Sequence, residues 1–536
     1  MLDSVRIVAQ GSFLRAQVYI PAPSNSSRSR RLVTTSASPR TLRVALDAAI
    51  SPSRSEVVYV VTTLLETAGY AAHFVWAPDA AVARHDDAFD IYYGPQRDVR
   101  ARLSIPSLLW DFRSAPSRDV TEVGRDAEID LLRFTGKENG RETNDPNTLT
   151  HDIVFASYWL LTGARESTWP RSRWDDLQAG DSVLVKERLL TRAPVSRYAA
   201  FIRSHFESLG VPAVRWPWEE PRATAAFAFT HDVDYPEVIR WIEVPRTLLR
   251  GSVRHAWGIA TGRQHFWRFR DWIDLTRRFG SRPTFYFMAR RGSLLEFMAG
   301  TPDAFYDVAS PRFRELFLEL KDAGAEVGLH ASYRAFKSAD VLRAERERIE
   351  SVAQVRVLGN RHHYWHMDPN DPNETLRRHE EAGFVYDSSL GLEYYPGWRL
   401  GICHPFRPYH PGERRAIGTV QVPPAWMDDH FDRRRSVNHI GDADAAAKQL
   451  LDTARSLAGI CVVDYHARGM NADFFPRYGP WLARFTEREL PGAATALTAA
   501  EIAQAYLERS RLLAAVSRDE TLGKPIQLQV SPRATG

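Results

Sequence analysis

The sequence predicts an α/β protein: an irregular or incomplete (β/α) barrel preceded by a smaller mixed α/β domain. Three observations predict it. From about residue 223, short apolar runs alternate with amphipathic segments of helical length, the pattern of parallel strands joined by helices. Several of those runs end in acids, histidines or an arginine, and α/β enzymes gather such groups at the C-terminal ends of their strands. A Pro- and Trp-rich stretch at 211–218 marks a boundary just before the alternation begins.

At 536 residues the chain exceeds one ordinary domain. Residues 1–40 read as a disordered tail, because 21–40 is rich in Ser, Arg and Pro and has little to bury. Residues 41–220 read as an accessory mixed α/β domain, with strands at 42–46 and 72–76, a helix between them, and a buried helix at 154–161. The tryptophans of 211–218 read as interface packing rather than a ligand platform. Residues 221–515 read as the barrel and 516–536 as a flexible C-terminal tail.

Within the barrel, strands are expected at 225–230, 283–288, 326–329, 357–359, 384–386, 419–422 and 460–463. Helices are expected at 266–279, 312–322, 341–355, 374–382 and 444–457. Eight strand-helix units cannot be counted, hence the expectation of an incomplete barrel.

Composition excludes several classes. The net charge is +4, from 70 Lys and Arg against 66 Asp and Glu, which argues against a dedicated nucleic-acid binder. The run Arg433-Arg434-Arg435 reads as a solvated loop. Two cysteines, Cys403 and Cys461, provide neither a disulfide framework nor a metal knuckle. No stretch reaches the roughly 18 apolar residues of a membrane span. The N-terminus lacks the basic flank and apolar block of a secretory signal, so a cytoplasmic location is expected.

The chemistry starts at Phe227-Ala228-Phe229-Thr230-His231-Asp232-Val233-Asp234. An i, i+2 spacing on a strand points Asp232 and Asp234 to one side, and two buried parallel carboxylates are costly unless a cation or substrate compensates them. His231, between them, should face away. Strand 326–329 runs into His330, strand 357–359 into Asn360-Arg361-His362-His363-Tyr364-Trp365, and strand 460–463 into Asp464-Tyr465-His466. In a barrel these ends open on one face.

The ordered set Thr-x-Asp-x-Asp, Arg282-Pro283-Thr284-Phe285-Tyr286-Phe287, Glu326-Val327-Gly328-Leu329-His330, an Arg-containing loop and a late strand ending at His466 resembles the polysaccharide deacetylases, the NodB-homology or carbohydrate esterase family 4 fold. The segments Tyr386-Asp387-Ser388-Ser389-Leu390-Gly391 and Cys403-His404-Pro405-Phe406-Arg407 resemble one branch of it. The resemblance covers about residues 223–485. It implies a NodB-type barrel acting on a carbohydrate, with a divalent metal, most simply zinc. It makes Asp232 the general base, Asp234 a metal carboxylate, His330 a metal histidine, Arg361 the residue that orients the base, and His466 the general acid. Tyr364 falls in the loop whose backbone N–H helps hold the oxyanion.

One position departs from the family pattern. A second metal histidine is expected four residues after the first, where this chain has Arg334. Catalytic zinc normally keeps three protein ligands, so His363 is taken as the replacement, with His362 the other option and His231 a weaker one. Asp428 or Asp429 would orient His466, and Trp365 and Trp426 would stack on a sugar or fill the core. The expected function is removal of an N-acetyl group from an amino sugar or glycan precursor. The alternatives are hydrolysis of another non-peptide C–N bond, or a degenerate glycan-binding protein, the latter motivated by Arg334.

Overall fold

The computed structural model describes residues 40–77, 89–95, 101–126, 129–135, 145, 147–172, 177–219, 224–237, 240–249, 251–263, 265–431 and 442–520. The tail expected over 1–40 (but for Arg40), the Arg433–Arg435 run and 521–536 therefore lie outside the described residues.

The N-terminal part is built on a four-stranded parallel sheet. Its strands are β1 (Thr41–Asp47), β2 (Ala71–Ala77), β3 (Phe89–Gly94) and β4 (Ala101–Pro106), in the order β2-β1-β3-β4. Helix α1 (Arg54–Ala68) crosses from β1 to β2 and ends at Gly69, whose φ of +108° suits a residue without a Cβ. A hairpin, β5 (Val120–Asp126) and β6 (Ile129–Phe134), follows. Helix α2 (Ile153–Leu161) is buried on every residue, as its apolar composition requires. Helix α3 (Pro194–Ser208) closes this part. The sequence did not single out β3 and β4, short strands whose apolar runs are interrupted by Asp90 and Arg102.

The C-terminal part is a nine-stranded, all-parallel sheet. Its strands are β7 (Ala225–Val233), β8 (Thr284–Phe287), β9 (Glu326–Ala331), β10 (Gly359–His362), β11 (Tyr386–Asp387), β12 (Val420–Gln421), β13 (Pro424–Met427), β14 (Ile460–Asp464) and β15 (Ala494–Ala496). The order is β12-β11-β10-β9-β8-β7-β14-β13, with β15 on the lower half of β7. Among the described residues no pairing joins β12 to β13, so the barrel is incompletely closed. The intervening helices are α4 (Arg240–Leu249), α5 (Val253–Ala260), α6 (Phe269–Arg277), α7 (Leu294–Met298), α8 (Pro311–Asp322), α9 (Ala339–Ala353), α10 (Pro372–Ala382), α11 (Ala443–Ser456) and α12 (Gly479–Glu489). A long helix, α13 (Ala499–Glu520), ends the described chain.

Strand β7 is buried along its whole length, as a central parallel strand must be. Its residues alternate between two cores. Ala225, Phe227, Phe229 and Val233 face the helix layer, while Ala226 and Ala228 face the barrel interior. Interior space is filled by Tyr286 and Tyr386, which lie against Gly328 and Gly359; a Cβ on Gly359 would sit 1.9 Å from the Tyr386 ring. Their hydroxyls meet at 3.0 Å, and Tyr386 donates to Glu326 at 2.6 Å. Trp216 and Trp218 stack on each other at 4.9 Å and join this interior core with Ile502 and Tyr506 of α13.

Two differences from the sequence reading bear on the site. Strand β10 begins at Gly359 rather than Val357, so Asn360, Arg361 and His362 are ladder residues, with Arg361 level with His330. Strand β13 is not among the strands expected from the sequence: Pro424 and Trp426–Met427 pair with β14 across a bulge. A proline is tolerated there because β13 is an edge strand.

Candidate functional site

Alternation along β7 carries Asp232 to the inside of the barrel, and Asp234 follows just beyond the strand end. His231 points the other way, against Trp272 at 4.1 Å and Phe285 at 4.9 Å, and its Nδ1–H donates to the Tyr465 carbonyl at 2.9 Å. Burial lowers its pKa to about 3, so it is a neutral core histidine.

Three imidazoles surround the Asp234 carboxylate through their Nε2 atoms: His330 at 3.0 Å, His466 at 3.0 Å and His363 at 3.8 Å. Donor atoms of Asp234, His330 and His363 all lie within 4.8 Å of one another, and all three residues are buried. His330 Nδ1–H donates to the Arg361 carbonyl at 2.9 Å, which fixes its tautomer and turns Nε2 inward. His363 Nδ1 sits 3.6 Å from Asp303, beyond hydrogen-bond length. Burial opposes charge on Asp234, but His363, His466 and His330 outweigh it and hold its carboxyl well below the usual range. Burial likewise opposes charge on His330, yet Asp232 and Asp234 lift it to about 9.

Arg361 is fully buried and lies 4.5 Å above the Tyr286 ring. It donates to Asp232 Oδ1 at 3.1 Å and to the carbonyl and hydroxyl of Ser388, and pairs with Asp464 at 3.0 Å. One guanidinium thus faces two carboxylates. Burial, with Asp232 nearby, pushes Asp464 well above the usual range despite Arg361. His466 Nδ1 pairs with Asp428 at 2.9 Å, and Asp428 also accepts the His466 backbone N–H at 2.9 Å. Asp429 instead accepts from the Tyr478 hydroxyl. Burial opposes protonation of His466, but Asp428 and Asp234 together hold it well above the usual histidine range.

Asp232, Asp234, His330, His363, Asp464 and His466 line one cavity of about 100 Å³. Tyr235, Tyr364, Trp365, Glu393, Met427, Asp429 and Arg468 complete its wall. Tyr364 and Trp365 have φ of +58° and +47°, two successive left-handed non-glycine residues next to His363. Such conformations cost about 1–3 kcal/mol each and persist where surrounding structure imposes them. A roomier groove of about 700 Å³ lies outside the barrel between α6 and α8; its lining of Arg270, Arg277, Arg312, Glu315 and Glu319 makes it an ion-paired surface without histidine.

Arg334 is exposed and stands outside the triad. His362 is turned away, its Nε2 2.8 Å from His379 Nε2 in a separate buried network with Asn360 and Asp387. Trp426 is core, packed on Phe227, Phe431 and Phe485. Sequence reasoning missed Asp303, because it sits in a loop with no motif around it. Its burial beneath Tyr333 N–H at 2.8 Å and Arg290 at 2.8 Å appears only in three dimensions.

Glu345 of α9 steadies the loop after His330 by accepting the Ser332 N–H at 3.0 Å and hydroxyl at 2.5 Å. Burial raises its pKa from 4.5 to about 7, against the pull of those two bonds. An acid raised on folding stabilises the fold below its unfolded pKa and loses that contribution as pH rises through its folded pKa. Glu345→Gln should therefore gain on the parent protein between about pH 4.5 and pH 7, by on the order of 1–3 kcal/mol, in denaturant titrations run across that window. A pH-independent difference would contradict this.

No family model matches the chain, and no curated protein matches it. Among solved structures it is similar to a Mycobacterium smegmatis protein provisionally described as a polysaccharide deacetylase, at 19% identity over 54% of this chain and 92% of that one, with a TM-score of 0.35. It is also similar to the peptidoglycan deacetylase PdaC of Bacillus subtilis, at 12% identity over 55% and 96%, TM-score 0.26. A third similar structure is a CE4 family pseudoenzyme from Bacillus anthracis, at 12% identity over 53% and 66%, TM-score 0.25. At this distance the likeness says nothing of what the chain binds or cuts.

Proposed function

We propose that the protein is a metal-dependent hydrolase that removes an N-acetyl group from an amino sugar or glycan precursor. The observation that carries this reading is the convergence on one cavity of a buried Asp234–His330–His363 triad, Asp232 held by Arg361, and His466 held by Asp428.

The triad offers one carboxylate and two imidazoles, a donor set that suits zinc. The surrounding bonds fit an ion there. His330 uses its Nδ1–H on a backbone carbonyl, the outer hydrogen bond that ligating histidines normally make, while Asp303 stands 3.6 Å from the Nδ1 of His363, beyond hydrogen-bond length. When bound, a divalent ion supplies Lewis acidity to an amide carbonyl and an activated water.

The chain's own residues divide the proton transfers. Asp232, fixed by Arg361 through Oδ1, takes the proton of the attacking water. His466, held charged by Asp428, returns a proton to the departing nitrogen. Tyr364 lines the cavity beside His363, where its backbone N–H would meet the acyl oxygen. The polar lining by Tyr235, Glu393, Asp429 and Arg468 suits a hydroxyl-rich carbohydrate. The non-catalytic alternative draws on Arg334, which stands away from the triad while His363 lies within it.

The test is acetate release from a broad panel of N-acetylated sugars and oligosaccharides, with Zn²⁺ or Co²⁺ supplied. Inertness across the panel by protein carrying its metal would sink the reading. Within the same assay, Asp428→Asn should lower kcat by roughly 10²-fold or more while leaving bound metal unchanged. Loss of the Asp428 charge lowers the His466 pKa, so the alkaline limb of the pH profile should move to lower pH.

A further inference from the structure

Downstream of Asp234 the chain leaves the sheet and folds into the α4–α5 hairpin, which starts six residues later at Arg240. This hairpin exposes large apolar side chains to solvent. Trp241 is 71% exposed, Leu249 90%, Val253 70% and Trp257 66%. Helix α5 has a second, inner apolar face, with Ala256 and Ile259 buried, so Val253 and Trp257 are surplus to the helix's own packing. The neighbouring strand β8 leads to α7, which exposes Leu295 at 75% and Met298 at 67%. Large apolar side chains exposed together on one element mark a contact surface.

The charges identify its occupant. Residues 240–263 contain five arginines and a single acid, Glu243. Glu243 is matched by Arg246 at 3.1 Å. Arg240, Arg254 and Arg263 are exposed and form no ion pair with a carboxylate among the described residues. Tryptophans and leucines interleaved with unmatched arginines are the composition of an element that lies in a bilayer interface. The rings and aliphatic chains enter the acyl boundary, and the guanidinium groups stay among phosphates. A protein partner or a second copy would need acids opposite these arginines, and the hairpin itself supplies only the paired Glu243.

We infer that the α4–α5 hairpin docks the protein on an anionic lipid surface. No described helix is long and apolar enough to cross a membrane, so attachment would be peripheral. Docking does not depend on the hydrolase reading, although the hairpin grows out of the strand that carries Asp232 and Asp234. If both hold, the cavity works next to a membrane, and a lipid-linked sugar is the substrate class that such a placement favours.

Vesicle flotation of the full chain tests it. The protein should float with phosphatidylcholine vesicles containing about 30 mol % phosphatidylglycerol, and bind pure phosphatidylcholine at least about tenfold more weakly. Trp241→Ser with Trp257→Ser should weaken binding to the anionic vesicles by about tenfold or more. Arg240→Gln with Arg254→Gln should cut it by a similar factor and reduce its salt sensitivity. All four positions are exposed, and an unchanged unfolding midpoint confirms that the variants fold. Absence of flotation, or flotation indifferent to both double variants, overturns the proposal. So does a concentration-dependent dimer in sedimentation that the same substitutions dissociate, because a second copy would then own the surface.

Discussion

Asp234→Ala should yield a folded protein that retains less than about a tenth of an equivalent of divalent metal, and whose hydrolysis is lower by roughly 10⁴-fold. Asp234 is the only carboxylate in the triad, and the Nε2 atoms of three imidazoles converge on it. Without it two neutral donors remain, fewer than a catalytic zinc normally keeps. In the metal-free protein the carboxylate also adds to the upward pKa shifts of His330, behind Asp232, and of His466, behind Asp428, so its loss lowers both. Metal analysis of dialysed protein checks the first effect and acetate release the second. Circular dichroism separates both from unfolding. A variant that kept a full equivalent of metal and its activity would place the chemistry elsewhere in the molecule. His363→Ala should behave in the same direction, whereas Arg334→Ala should leave the metal in place, because Arg334 is exposed and outside the triad.

That contrast shows how much of the site is written in the sequence. The spacing of Asp232 and Asp234 needed only the two-residue period of a strand, and His231 facing away followed from the same period. Alternation of strands and helices was enough to expect parallel strands and an open barrel, because the buried runs of β7 and β14 are continuous and apolar. Boundaries were weaker where polar residues enter a ladder. Arg361 is a strand residue because Ser388, Asp232 and Asp464 receive its guanidinium inside the barrel, a compensation no local pattern reveals. Choosing Asp428 over Asp429 required the three-dimensional contacts, which set Asp428 against His466 and Asp429 against Tyr478. Asp303 had no local signal at all, and its role is set by elements far apart in the chain.

Contact between the N-terminal segments and the barrel was equally hidden, and it leads to the second large effect. One apolar core runs from Leu42 and Val57 through α2 and α3 to Leu390, Leu400, Ile402 and Tyr409 in the barrel's long loops. Across that core lies a bidentate ion pair. Arg399 donates to Glu166 at 2.8 Å and 2.6 Å, with side chains only 3% and 4% exposed. Arg399 also donates to the carbonyl of Gly391, whose Cα lies against the Trp365 ring at the cavity rim. Removing one partner of a buried pair leaves an uncompensated charge and costs about 3–5 kcal/mol, far more than any exposed pair. Glu166→Leu should therefore destabilise the protein by that amount. Arg399→Met should cost as much on its own, because a carboxylate is then stranded. The double variant Glu166→Leu with Arg399→Met should recover most of the loss, since an apolar pair of similar volume avoids desolvating two charges. Chemical denaturation of the three variants completes the cycle. A coupling energy below about 1 kcal/mol would mean that water reaches the pair, and that the N-terminal segments are joined to the barrel by apolar contact alone.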